Sequence, residues 1–449
     1  MKLRPLGSAA ALAFAASLAA SLFAAPALAN GRFPAAGQVA VDPSDPNHLV
    51  VRTTYGLTVS TDHGAHWSWV CEAAVGYGGT EDPMMAITAD GSLIAGIFEG
   101  LSESHDKGCQ WDFAQGGLKD RYVIDLATEK VTPKNAVLLI SNSVGGAMFL
   151  TELWETNDNA ATWTVAGVDM PVDFLGLTLD AAPSDPARVY VSGRYGKPDY
   201  EGAIERTSDR GKTWQKLPIP GSNDMALPYI GGVDPQNPDV VYVRLDAPKA
   251  DKLVVSKDGG ATWSDAFTSK GNLLGFALSP NGSTVAVGGD IDGVWTAPAN
   301  TLAFTQVAKI GTRCLTWTSA GLYACADEFV DGFAVGLSTD QGHTFTPVMH
   351  LQVLCGPLQC PATTSNGSTC PGAWGATKLT IGGATCESST TGATSGSGAG
   401  ATSSSSGGSS QTAGGCSMSA PAAAGSLVPG LVLAGAALAR RRRRARRAR

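Results

Sequence analysis

Much of the equipment that marks common enzyme classes is missing from this 449-residue chain. There is no His-Glu-x-x-His pair and no Cys-x-x-Cys, so the usual zinc sites are excluded by pattern. There is no phosphate-cradling glycine loop and no Gly-x-Ser-x-Gly elbow, which removes nucleotide-dependent and serine-hydrolase readings of the usual kind. Charged residues are scarce at 16%. Long amphipathic helical patterns are few, and short alternating runs broken by turns take their place. With 55 glycines and 25 prolines, that texture belongs to an all-β chain with frequent reversals.

The charge is unevenly spread. Setting aside Lys2, Arg4 and the eight arginines of 440–449 leaves 22 basic against 39 acidic residues, about −17 for the body. Such a surface repels nucleic acid and anionic lipid.

What the chain does have is a recurring octapeptide, best seen in Ser256-Lys257-Asp258-Gly259-Gly260-Ala261-Thr262-Trp263. Asp258 is placed to accept backbone N–H groups just downstream, Gly260 to supply a positive φ, and Trp263 to bury its ring as the return strand begins. Related copies carry Asp62, Gly64 and Trp67; Asp106, Gly108 and Trp111; and Asp209, Gly211 and Trp214. Two degraded copies carry Asp158 and Trp163, with Ala160 in place of glycine, and Asp340, Gly342 and Phe345. Phe304 keeps only the aromatic. The aromatics fall at 67, 111, 163, 214, 263, 304 and 345, at spacings of 41 to 52 residues. That period suits four-stranded propeller blades.

The repeat resembles the Asp-box (BNR) repeat of sialidases, sortilin-type receptors and photosystem-assembly propellers, over roughly Gln38 to His350. The resemblance implies an all-β propeller, with seven four-stranded blades as the expectation, and the box hairpins on the rim away from the ligand-binding face. The box aspartates are therefore expected to staple the fold rather than to catalyse.

Residues 1–29 read as a secretory signal peptide ending at Ala27-Leu28-Ala29, and 30–350 as the propeller. Nine cysteines in an exported chain imply disulfides and one remainder. Cys314 and Cys325 flank a short hairpin and are expected to pair. Cys71 and Cys109, beside clamp tryptophans of consecutive blades, are expected to cross-link those blades. Cys355, Cys360, Cys370 and Cys386 cluster in a Cys-rich extension, 351–386, with their connectivity open.

Residues 387–415 form a Gly/Ser/Thr-rich spacer that cannot bury a core. Residues 416–449 hold Cys416, an apolar run from Ala422 to Ala439 and an arginine cluster. A membrane stop has that physical form, a transmembrane helix with positive charge held on the cytoplasmic side. The pattern resembles the myxobacterial C-terminal sorting signal (MYXO-CTERM), which implies processing and anchoring at Cys416 by a sorting protease. The body is then displayed at the cell surface and touches the membrane through the tail only.

For function, a sialidase-like glycoside hydrolase is the enzymatic alternative. The resemblance implies an arginine triad beside a Tyr–Glu pair on the central face. The nearest matches are the partial motif Gly31-Arg32-Phe33-Pro34 and the scattered Arg194 and Arg244. Gly289-Asp290-Ile291-Asp292-Gly293 has acidic spacing akin to a calcium loop but lacks the remaining ligands, and reads as a turn. No catalytic, cofactor or metal residue is assigned and no cofactor is expected. The expectation is a non-enzymatic surface propeller that binds an unknown protein or glycan, with Tyr77, Tyr195 and Tyr200 as aromatics that either contribute to the binding face or simply pack, a choice left open. Clustered arginines and carboxylates at the channel mouth would favour an enzyme or glycan binder.

Overall fold

A computed structural model describes residues 33–196 and 200–383. The leader, Arg32, Cys386, Cys416, the spacer and the arginine-rich tail with its apolar run lie outside the described residues. Among the described residues, no helix is long and apolar enough to cross a membrane.

Seven four-stranded antiparallel sheets follow one another along the chain, at 36–70, 84–113, 123–165, 174–218, 227–268, 273–308 and 314–349. They make a seven-bladed β-propeller. The first strand of each sheet lies innermost, and polar side chains lock these inner strands to one another. Gln38 in blade 1 exchanges two hydrogen bonds with the backbone of Met85 in blade 2, at 2.8 and 3.1 Å. The Asp125 carboxylate in blade 3 accepts from Leu179 N in blade 4 at 2.9 Å, and Asp180 in blade 4 accepts from Val233 N in blade 5 at 3.0 Å. Between the blades, apolar side chains interleave in successive layers.

The ring closes by contact rather than by a shared blade. Thr316 in blade 7 donates to Val39 O in blade 1 at 3.0 Å, and the Trp67 indole donates to Val348 O at 2.9 Å. The extension then doubles back over blade 1. Its strand Leu354–Pro357 pairs in parallel with Trp67–Val70 and covers an otherwise open sheet edge. The helix Ser365–Ile381 follows.

The clamp turns supply the rim geometry. Ser256 accepts from Gly260 N at 2.7 Å, while Asp258 accepts from Thr262 N at 2.8 Å and from the Thr262 hydroxyl at 2.6 Å. The same set recurs around Asp209 and Asp340. Two consecutive residues take positive φ, 72° at Gly259 and 97° at Gly260. The degraded copy obeys this too, with Asn159 at 61° and Ala160 at 67°. The Thr262 hydroxyl, then its amide and Ser256, hold the Asp258 carboxyl down at about 2.

The long interval and the irregular copy in the repeat have simple causes. In blade 3 the extra length goes into a projecting hairpin, Ala136–Gly145 with Met148–Thr156. In blade 6 the turn before Phe304 is closed by Pro298 O, which accepts from Thr301 N and Leu302 N without a carboxylate.

One disulfide expectation needs correction. Cys71 and Cys109 do not pair with each other: Cys71 bonds to Cys370 and Cys109 to Cys360, which staples the extension to blades 1 and 2. Their neighbourhood to clamp tryptophans is real, but the returning chain supplies the partner sulfurs. Cys314 and Cys325 are bonded across adjacent strands of blade 7.

Candidate active site

Topology separates the two ends of the propeller. Clamp turns join third to fourth strands and meet the first-to-second turns, as in Gly259 N to Asp239 O at 2.8 Å and Asn159 N to Lys134 O at 2.9 Å. The opposite end carries the second-to-third turns and the links between blades. There a cleft of about 350 Å³ opens among blades 1, 2, 6 and 7, and Arg52, Asp82, Asp290 and Arg313 line it.

Each charged group is held by its own device. Arg52 leaves the second strand of blade 1 and donates to Asp82 O at 2.8 Å, Pro83 O at 3.3 Å and Gly37 O at 3.0 Å. It thereby pins the link that presents Asp82. Gly37 permits this approach, since a Cβ there would lie 2.8 Å from the guanidinium. Next to Asp82, Glu81 is turned inward and its carboxylate accepts from Phe98 N at 2.7 Å; burial raises its pKa above the usual carboxylate range. Arg313 pairs with Asp327 at 3.1 Å, and Asp327 in turn caps the short helix Glu328–Asp331 through Phe329 N.

Asp290 comes from the Gly289–Gly293 turn. The turn is braced by the buried Asp292, whose carboxylate accepts from Lys270 N and Gly271 N, at 2.9 Å for the closest of these bonds. From above, the Trp295 indole and Gln306 amide both donate to Asp292 O. Asp290 itself is exposed beside Leu274, with Ile291 outward at 68% exposure. The sequence reading of this stretch as a plain turn is right about its shape, yet the turn supplies a cleft carboxylate. Among the described residues, no cluster of three or more His, Cys, Asp or Glu is arranged to hold a metal ion.

Two aspartates from separate blades line one cleft, together with two guanidiniums. Carboxylates on either side of a bound sugar are the groups that protonate a glycosidic oxygen and activate water. Aromatic rings stand on the same end: Phe98 with Tyr122 at 5.3 Å between centroids, and Phe33 with Phe329 at 5.1 Å.

The residues singled out by sequence lie elsewhere. The clamp aspartates Asp62, Asp106, Asp158, Asp209, Asp258 and Asp340 are all at the far end. Arg194 lies over the Tyr200 ring at 5.3 Å, and Arg244 lies over Tyr229 at 4.8 Å and donates to Leu273 O, so the two do not converge on the cleft. Tyr77 is buried packing. Tyr195 does hydrogen-bond Glu205, but burial and then that carboxylate push its phenol well above the usual range, the wrong direction for a nucleophile. Sequence reasoning missed Arg52, Asp82 and Arg313. The available signal was positional: each sits at a strand end on the side opposite the clamps.

No family model matches the chain. A xyloglucanase of Hypocrea jecorina (strain QM6a) is 33% identical over 135 residues, which is 28% of this chain and 15% of that enzyme. The crystal structure of an ancestral GH74 enzyme superposes with a TM-score of 0.54 at 13% identity, covering 71% of this chain and 46% of that one. The chain thus spans less than half the length of either. The structural likeness speaks to the fold alone. The xyloglucanase overturns the expectation of a non-enzymatic scaffold: a stretch of this chain is similar in sequence to a glycoside hydrolase, and the leaning against an enzyme is corrected accordingly.

Proposed function

We propose that this chain is a glycoside hydrolase that cleaves a β-linked glucan of the xyloglucan class, with Asp82 and Asp290 as the carboxylate pair. The observation that carries the reading is the cleft at the end opposite the clamps, which two aspartates from different blades line together with Arg52 and Arg313. One aspartate protonates the leaving oxygen while the other activates water or attacks the anomeric carbon. Arg52 positions Asp82 through the backbone of its own link, and the braced Asp292 does the same for Asp290. The sialidase version of the hydrolase reading loses support, because Arg194 and Arg244 stand apart and the Tyr195 phenol is held protonated.

The test is release of reducing ends by the purified full chain from soluble xyloglucan, with a sialylated glycan in parallel. Cleavage of xyloglucan alone supports the proposal; cleavage of the sialylated glycan alone, or of neither, counts against it.

The recurrence of one hydrogen-bond set at Asp209, Asp258 and Asp340 supports assigning the clamp turns to the Asp-box type. We further propose that the chain is exported, cut after Ala29, and held at the cell surface by processing at Cys416. Disulfides at Cys71–Cys370, Cys109–Cys360 and Cys314–Cys325 support an oxidising compartment. Intact mass of the cell-associated protein checks both ends.

A further inference from the structure

We propose that Phe98 and Tyr122 form an aromatic stacking platform for a β-1,4-linked glucan leading into the cleft, an inference that rests on the glucan hydrolase reading above. Both side chains are about half exposed, at 51% and 48%, and neither belongs to a core cluster. Their centroids are 5.3 Å apart with an interplanar tilt of 43°. A pyranose offers an apolar C–H face to an aromatic ring and hydroxyls around its edge, a match for an amphipathic surface.

The platform is built rather than incidental. Phe98 N is fixed by the Glu81 carboxylate at 2.7 Å, one residue from Asp82 in the cleft. Tyr122 is held from its other side, where its N–H donates to Asn142 Oδ1 at 3.1 Å and its carbonyl accepts from Ser141 N at 3.3 Å. The neighbouring Arg121 is clamped by Glu152 and lies over the Trp154 ring. Asp120 N donates to Glu99 O at 2.7 Å and joins the two ring-bearing segments. Much of this bracing serves to present two exposed rings on the segments next to the link that carries Asp82.

The experiment compares the full wild-type chain with Phe98→Ala and Tyr122→Ala, by affinity electrophoresis in soluble xyloglucan and by calorimetry with β-1,4-glucan oligosaccharides. Loss of one ring weakens binding about tenfold, with unchanged melting temperature because both rings are exposed. If the wild type cleaves xyloglucan, KM rises in the variants while kcat is kept. Equal retardation of all three proteins, or no binding of β-1,4-glucan by the wild type, overturns the platform. The two readings fail separately. Hydrolysis with unchanged binding in the variants removes the platform and leaves the hydrolase; weakened binding in the variants with no wild-type hydrolysis does the reverse.

Discussion

Ser256 shows how little each clamp residue can be spared. Its buried hydroxyl accepts from Gly260 N and donates to Asp258, so Ser256→Ala leaves a buried N–H without its partner. A loss of about 1–3 kcal/mol is expected, read as a lower melting temperature, with xyloglucan turnover per folded molecule unchanged. Asp125 makes a different prediction. It is fully buried between inner strands, and burial outweighs the N–H groups of Leu179 and Leu126, pushing its carboxyl up to about 7. A carboxyl raised in the folded state contributes stability that is complete below the unfolded value near 4. That stability is lost as pH rises through about 7. Asp258, held at about 2, works in the other window: its contribution is present above the unfolded value and lost as pH falls toward about 2. Melting temperature should therefore decline between about pH 5 and pH 8. Asp125→Asn should flatten that decline while lowering stability at every pH, since the amide cannot serve both N–H groups; an unchanged slope would remove Asp125 as its source.

At the scale of elements, local chemistry was the legible part of the sequence. The clamp needs an acceptor, a residue tolerant of positive φ and an aromatic at fixed offsets. These leave a visible pattern even where Ala160 replaces glycine. Blade count followed, because the aromatic recurs once per sheet. The cleft was not legible, because its residues share no offset. Arg52, Asp82, Asp290 and Arg313 come from a strand end, two links or turns, and a blade start, and only closure of the ring puts them together. The pairing of Cys71 with Cys109 failed for the same reason, since their true partners are separated by 299 and 251 residues, while the local Cys314–Cys325 pair was legible. The extension supplies an element-scale test. Cys370→Ser removes the bond that ties the helix Ser365–Ile381 to blade 1. A loss of about 2–4 kcal/mol is expected, together with early proteolytic cleavage within 355–383 while the 36–349 core stays intact. Cleavage at the wild-type rate would mean that the Cys109–Cys360 bond and the parallel strand Leu354–Pro357 hold the extension without it.

Across the whole molecule, the two ends of the propeller divide the labour. One end spends its carboxylates on clamps, each saturated by Ser or Thr hydroxyls and backbone N–H groups. The other presents Asp82 and Asp290 to solvent beside guanidiniums, with aromatic rings displayed around them. The measurement that addresses this most directly is the initial rate of reducing-end release from xyloglucan by the wild type, Asp82→Asn and Asp290→Asn, with melting curves for all three. The account predicts turnover by the wild type and a fall of about 10²–10⁴-fold in each variant, with melting temperatures unchanged. Wild-type rates in both variants, or no turnover by any of the three folded proteins, would contradict it.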